Sequence, residues 1–263
     1  MISGFQFGMA AAGHKFSGAS GLAATDPNLS FFLTDTSYTA QASATNSVTL
    51  AFWMRMDSTA STGEQTVFRL ENGSSSVIFL NVDNGNERIR YGVFNSSWQV
   101  DRVFDLGTGV FGDGNFHHIM YARQGSTDYA YVDGSQKTVS QNPGNTGKNN
   151  GDAGNHHWDN FSTGIILAES TGGGNKVDNP ITQFYLDDGY NDLTSSSVRQ
   201  KFYNGGAVDM GSDGTSSGLG QPVHFFVGGA SDFASDGGTY TDNWTTNGTA
   251  DTDIDESNGP QFA

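Results

Sequence analysis

No cysteine occurs in this chain, so neither disulfides nor thiolate metal sites can brace the fold. Stability must come instead from burial in a large core. Basic residues are scarce: Lys and Arg number 12 against 28 Asp and Glu, a formal charge of −16. That balance repels a nucleic-acid backbone, whose binding depends on Lys and Arg displacing counterions, and it disfavours an anionic bilayer. Charged residues of both signs reach only 15%, below the roughly 25% of an average soluble domain. No apolar run approaches the roughly 20 residues of a membrane helix. The N-terminal MISGFQFGMAAAGHKF has small residues but no basic n-region and no continuous apolar segment, so no secretory signal is expected. Proline is rare as well, with 5 residues, while Gly reaches 36, Phe 19 and Tyr 9. This mixture suits aromatic-rich strands joined by tight turns, because glycine supplies positive φ and aromatic rings suit a half-buried pleated surface. A helical bundle is disfavoured. At 263 residues the chain matches all-β sandwiches of roughly 200–250 residues that form one domain. No repeat of fixed period is present, which argues against a propeller or β-helix.

Alternation locates several strands. From Ser47 to Asp57, Val48, Leu50, Phe52, Met54 and Met56 fall on one face and Thr49, Trp53, Arg55 and Asp57 on the other, the pattern of a strand with one face in the core. Ser76 to Val82 is apolar on both faces and suits a central strand. Glu87 to Phe94 sets Arg88 and Arg90 opposite Ile89, Tyr91 and Val93, a half-exposed strand. Asn72-Gly73 and Asn84-Gly85 between such runs predict primed hairpin turns, and a meander of antiparallel strands follows. After Thr194 or Ser195 as N-cap, Val198 and Phe202 lie four apart and the segment ends at Gly205-Gly206, which predicts one short helix. Leu193 is placed to fold back on it as a hydrophobic staple. That helix is expected to plug an edge or end of the sandwich. Gln141 to Asn160 is Gly/Asn-rich and long for a loop of a compact domain, and Gly205 to Gln221 is a second, Gly/Ser-rich connector.

Phe116 to Gly134, FHHIMYARQGSTDYAYVDG, comprises two strand-like runs with an Asp133-Gly134 turn; Ile181 to Gly206 comprises a core strand and the short helix. Together they resemble concanavalin A-like sandwiches of the laminin G-like kind. Phe116-His117-His118 is similar to that family's aromatic-His-His strand start, and Tyr131-Val132-Asp133-Gly134 to its strand followed by an Asp-Gly hairpin. The resemblance implies an all-β jelly roll of two antiparallel sheets with one short helix. It spans residues 29–206, leaving 1–28 as an N-terminal extension and 207–263 as a C-terminal extension that packs on the sandwich or on a neighbouring subunit.

Sandwich glycosidases of this superfamily carry a Glu-x-Asp-x-x-Glu signature on one strand, which gathers the carboxylates that glycoside hydrolysis needs. None of Glu64, Glu71, Glu87, Glu169 or Glu256 has an Asp two residues later. Gly107 to Gly112 matches a dinucleotide fingerprint, but a strand rather than a helix is expected after it. Gly214 to Gly218 matches a nucleophile elbow without a strand–turn–helix context. His117 and His118 are adjacent strand residues that point to opposite faces, so the rings cannot easily share one metal ion. His156, His157, Trp158 and Asp159, in the long loop, form the candidate glycan site: a ring that stacks on a sugar face beside groups that bond hydroxyls. The simpler alternative is that Trp158 anchors the loop to the core. Calcium is bound at the rim of many domains of the resembled superfamily and takes oxygen ligands; Asp187 and Asp188 are candidate ligands. The run Asp251-x-Asp253-x-Asp255-Glu256 lacks the EF-hand glycine and reads as a solvated acidic tail.

The closest flavour of the resemblance is to laminin G-like proteins of tailed-phage particles. The stretches KFYNGGAVDM, QPVHFFVGGASDF and NWTTNGTAD carry it. It implies a non-enzymatic virion structural protein, a capsid decoration, fibre or tail-associated subunit. Such a protein would be synthesised without a signal peptide, form homo-oligomers, contact major capsid or tail proteins and bind a host polysaccharide. A free carbohydrate-binding lectin is the alternative, and a glycosidase ranks behind both.

Overall fold

The computed structural model describes residues 32–38, 46–56, 63–73, 76–107, 110, 112–143, 161–167, 175, 177, 179–228, 233, 235–240, 243–249, 260 and 262. Two antiparallel sheets pack face to face. The larger has eight strands in the order β10-β6-β5-β4-β3-β11-β1-β14, namely β1 (Phe32–Asp35), β3 (Glu64–Asn72), β4 (Ser76–Asp83), β5 (Arg88–Asn95), β6 (Ser97–Asp105), β10 (Val139–Gln141), β11 (Thr163–Ile166) and β14 (Thr245–Asn247). The smaller has six in the order β13-β12-β2-β7-β8-β9, namely β2 (Ser47–Arg55), β7 (Phe116–Gln124), β8 (Thr127–Val132), β9 (Ser135–Lys137), β12 (Ile181–Asp187) and β13 (His224–Phe226). The all-β sandwich and the meander β3-β4-β5-β6 are as the sequence implied. Residues beyond 206 supply an edge strand to each sheet, β13 beside β12 and β14 beside β1.

The core between the sheets follows from alternation. Val48, Leu50, Phe52, Met54 and Met56 all point into it, facing Phe68, Leu70, Ile78, Leu80, Val82, Ile89 and Tyr91 from the larger sheet. One charged group bridges the sheets: Asp128 on β8 accepts from Arg123 Nη1 at 2.6 Å, Tyr121 Oη at 2.6 Å and Arg102 Nε, on β6, at 2.9 Å. Two guanidiniums on one buried carboxylate satisfy the geometry that a buried charge demands.

The aromatic-His-His start and the Asp-Gly turn are joined by one side chain. Asp133 and Gly134 have φ of +48° and +72°, the two positive values that a two-residue type I′ hairpin requires. The Asp133 carboxylate accepts the His118 backbone N–H at 2.8 Å and lies 2.6 Å from His117 Nδ1. At the other predicted turns, Gly73 takes φ +56°, whereas beyond Asn84-Gly85 the positive φ falls on Glu87, at +51°. That loop runs two residues longer than a primed turn, because Asp83 caps it by accepting from the backbone N–H and side-chain amide of Asn86.

The helix departs from expectation in length and place. Helix α1 is Ser196–Arg199, with Ser195 as an N-cap that makes no side-chain capping bond. The next residues continue as turns, with Phe202 and Tyr203 donating backbone N–H bonds to Arg199. Rather than plugging an edge or end, this segment lies over the outer face of the smaller sheet. Leu193, Phe202, Met210, Leu219, Phe225 and Val227 form a second core with Ala51, Met120, Ala122, Tyr131 and Tyr185. A bulge in β12 between Thr182 and Tyr185 helps to fasten it: Gln183, at φ +51°, reaches out to donate to the Val208 carbonyl at 2.7 Å.

Candidate functional site

Among the described residues, the outer face of the smaller sheet is covered by the C-terminal region, whereas the outer face of the larger sheet is open at β3 to β6. Strands β3 to β6 set there a shallow open groove of about 250 Å³, lined by Glu64, Arg69, Val77, Phe79, Asn81, Arg90, Phe94 and Trp98. Each comes from the strand face opposite the core, since Ile78, Leu80, Ile89, Tyr91 and Val93 point inward and successive residues alternate. A bulge where β5 meets β6, between Val93 and Phe94, sets Phe94 opposite Trp98 and keeps both rings on the groove side.

Arg90 organises the groove. Its guanidinium lies 5.2 Å from the Phe79 ring and 5.1 Å from the Trp98 ring, a cation–π arrangement on two sides. Its N–H groups are engaged too: Nε and Nη2 donate to Asp101 at 2.9 and 3.1 Å, and Nη1 donates to both Glu64 oxygens at 2.9 Å. Asp101 and Glu64 together keep the Arg90 pKa raised against the opposing effect of burial. Asn81 donates from Nδ2 to Glu64 at 3.0 Å. Its side-chain oxygen is buried and accepts nothing among the described residues. Arg69 donates from Nε to Glu71 at 2.7 Å. Gly92 makes room for the floor, because the far end of the Phe79 ring occupies the space a Cβ on residue 92 would take, 2.3 Å from it.

The candidate glycan residues His156, His157, Trp158 and Asp159 lie outside the described residues, as do Asp251, Asp253, Asp255 and Glu256. Asp187 and Asp188 stand at the end of β12, where the covering segment leaves the smaller sheet. Burial, then repulsion from Asp188, pushes the Asp187 carboxyl up to about 6, and burial raises Asp188 as well. Among the described residues no group of three or more His, Asp or Glu is placed to share an ion. Calcium takes six to eight oxygens, so these two carboxylates alone do not make its cage. The two histidines do occupy opposite faces. His118 packs against Trp53 and Tyr203, with centroids 4.9 and 5.6 Å away, and burial drives its pKa down to about 3. His117 sits between Asp133 and Asp113, whose hydrogen bonds and charges raise its pKa, Asp133 foremost.

Sequence reasoning missed the groove. Its signal was the aromatic and apolar content of strand positions facing away from the core: Val77, Phe79, Phe94 and Trp98, interleaved with Arg90 and Glu64. It also missed a buried cluster in the C-terminal region. There Tyr38 Oη lies 2.9 Å from His224 Nε2, and the Asp236 carboxylate lies against His224 Nδ1 and accepts from Trp244 Nε1 at 3.2 Å and from the backbone of Phe225 and Gly238. Tyr-His-Asp order resembles a proton-transfer relay, but Tyr38 is 4% and His224 0% exposed. The cluster fastens β13 and the Trp244 segment to the core.

Three solved structures illustrate what the chain is similar to. Domains LG4-5 of the mouse laminin alpha1 chain are 11% identical, with a TM-score of 0.43, covering 67% of this chain and 45% of the laminin fragment. The heptameric SAP-like pentraxin of Limulus polyphemus is 12% identical, with a TM-score of 0.44, covering 87% of this chain and 94% of the pentraxin. Tailspike protein 2 of the Escherichia coli O157:H7 bacteriophage CAB120 is 14% identical, with a TM-score of 0.43, covering 70% of this chain and 24% of the tailspike. The chain thus spans less than half of the laminin fragment and about a quarter of the tailspike. No curated protein sequence matches it. The laminin G profile of the concanavalin A-like lectin/glucanases superfamily matches residues 33–167, from the first strand of the larger sheet through β11, and the chain belongs to that family.

Proposed function

We propose that the protein is a non-catalytic recognition subunit of a tailed-phage virion, with the outer face of its larger sheet as the binding surface. The observation that carries the reading is the asymmetry of the sandwich. The chain's own C-terminal region covers one sheet, and the other presents an open groove of aromatic rings and fixed polar groups. Rigid sheet-borne side chains suit binding, because their geometry is set before the ligand arrives. Catalysis by two carboxylates needs one of them to carry a proton to the leaving group. In the groove Glu64 and Asp101 are instead both engaged as acceptors by Arg90.

The virion assignment rests on the sequence resemblance carried by KFYNGGAVDM, QPVHFFVGGASDF and NWTTNGTAD. In that setting the partners are major capsid or tail proteins and further copies of the chain, and the groove faces the host. Immunogold labelling of particles from the producing culture tests it. Regular labelling of heads gives a decoration role, and labelling at tails or fibre tips gives host adhesion. Intact and partly opened particles without label would sink the virion assignment and leave a free lectin, which the same groove would serve.

A further inference from the structure

We infer that the groove of β3 to β6 takes an uncharged saccharide, stacked on Trp98 and bonded through its hydroxyls to Glu64 and Asn81, and that it rejects sulfated, uronate and sialylated glycans. The inference rests on the recognition reading above and names the ligand of that same site.

Charge decides the class. An anionic sugar is best held by guanidiniums free to offer paired N–H groups. Here Arg90 commits Nε and Nη2 to Asp101 and Nη1 to Glu64, so the carboxylates at its side outnumber it. The nearby cation Arg69 is paired with Glu71, and the chain as a whole carries −16. A negative ligand would enter a field of its own sign and find each of these cations beside a carboxylate of the chain itself.

The polar groups decide what an uncharged ligand must offer. The Asn81 oxygen is a buried acceptor without a partner among the described residues, an arrangement that costs free energy until a donor arrives. Glu64 is an acceptor with 32% of its side chain exposed. Both call for O–H donors. The half-buried Trp98 and Phe94 rings, edge-on to each other at 5.6 Å and 76°, call for an apolar C–H face. A pyranose presents both features at once, while an apolar ligand would leave the acceptors unmet and a charged one would be repelled.

The test uses the full chain on an array of neutral glucans, mannans and galactans beside sulfated, uronate and sialylated glycans, at low and high salt. Expected is binding to neutral glycans that changes little with salt, since no ion pair with the ligand is there to be screened. Trp98→Ala should weaken it about tenfold or more, equivalent to about 1.4 kcal/mol. Trp98→Tyr, which keeps a ring, should recover most of the loss, and Glu64→Gln, which keeps one acceptor oxygen but drops the charge that pairs with Arg90, should weaken neutral binding without creating binding to acidic glycans. Binding confined to acidic glycans, lost at high salt and strengthened by Glu64→Gln, would overturn the inference while leaving a recognition subunit in place. Binding to no glycan by folded wild-type chain would overturn it too, and particle labelling would then decide separately whether the virion reading survives.

Discussion

The two sheets of the sandwich share one core but treat their outer faces in opposite ways. On the smaller sheet the outward residues Ala51, Trp53, Met120, Ala122, Tyr131 and Tyr185 are apolar and lie under the C-terminal region. On the larger sheet the outward residues of β3 to β6 combine three rings with ion pairs, and no described segment lies over the groove they form. A strand pattern apolar on both faces therefore carries two different meanings in one molecule. Where the outward positions are uncharged, aliphatic and aromatic alike, they lie beneath a covering segment from the same chain. Where aromatic rings alternate with carboxylates and guanidiniums, the position is stable toward water and available to a ligand. The contrast separates a face built for stability from a face built for recognition, and substitutions on each should differ in kind as well as size.

The largest effect belongs to the covered face. Phe202 is fully buried and meets Tyr185 edge-on at 5.1 Å. Phe202→Ala removes a ring from the second core and should cost about 3–5 kcal/mol, read as an early denaturation midpoint. Fluorescence and urea unfolding monitored together would sharpen the contrast. A separate early transition for the cover would show that it opens apart from the sandwich, whereas coincident transitions would make both faces one cooperative unit.

On the open face, Gly92→Ala should cost less, about 1–3 kcal/mol, because the new Cβ displaces the far end of the Phe79 ring and that ring can yield toward solvent. Its second consequence is the useful one: with Phe79 displaced, Arg90 loses one of its two aromatic supports, and glycan binding should fall with it. Unchanged binding in Gly92→Ala would break the link between the Phe79 floor and the recognition face.

The strands were legible because β2 and β5 display their alternation in contiguous residues and β4 is a short run apolar on both faces, and the Asp133-Gly134 turn announces itself in two. The groove was not, because its residues are drawn from four strands and only the register, such as Arg69 opposite Phe79 and Asn81 opposite Arg90, brings them together. Within β5, Arg90 read correctly as outward-facing, but nothing local told that Trp98 and Glu64 would meet it. The cover was hidden for another reason. Residues 207–228 keep neither helical nor strand period, so Met210, Leu219 and Val227 gave no face to read, and only α1, itself a single turn, marked where the segment begins.

A smaller effect is expected at Asp187, beside the start of the cover. Its carboxyl titrates at about 6 in the fold against an ordinary 3.8. Between those values the folded protein keeps a proton that the unfolded chain has lost, so stability falls as pH rises through that window and the whole cost remains above it. Asp187→Asn should therefore stabilise the protein at neutral pH by about 1 kcal/mol, a figure reduced for the partial exposure of the group. The gain should vanish below pH 3.8. A gain that persisted in acid would come from packing rather than charge.

The finest probe of the sealed face is the histidine pair of β7, because His118 lies under the cover while His117, on the opposite face of the same strand, sits between the carboxylates of Asp133 and Asp113. His118 lies under Tyr203, its ring stacked at 5.6 Å and 16°, and titrates at about 3 instead of 6.5. As pH falls below 6.5 the unfolded chain takes a proton that folded His118 refuses, so its contribution to stability declines steadily toward pH 3. His117 runs the other way. Held above 6.5 chiefly by Asp133, it adds stability that is complete below that value and is lost as pH rises through its folded pKa. Ring resonances followed by NMR should show His117 titrating on the alkaline side of 6.5 while His118 stays neutral well into acid. Tyr203→Ala, which strips the ring that packs on His118 and Trp53, should move His118 back toward 6.5, while His117 keeps Asp133 and Asp113 as partners and stays above 6.5. If wild-type His118 already titrates near 6.5, water reaches the smaller sheet, and the distinction between a sealed face and an open one fails at the residue where burial should make it plainest.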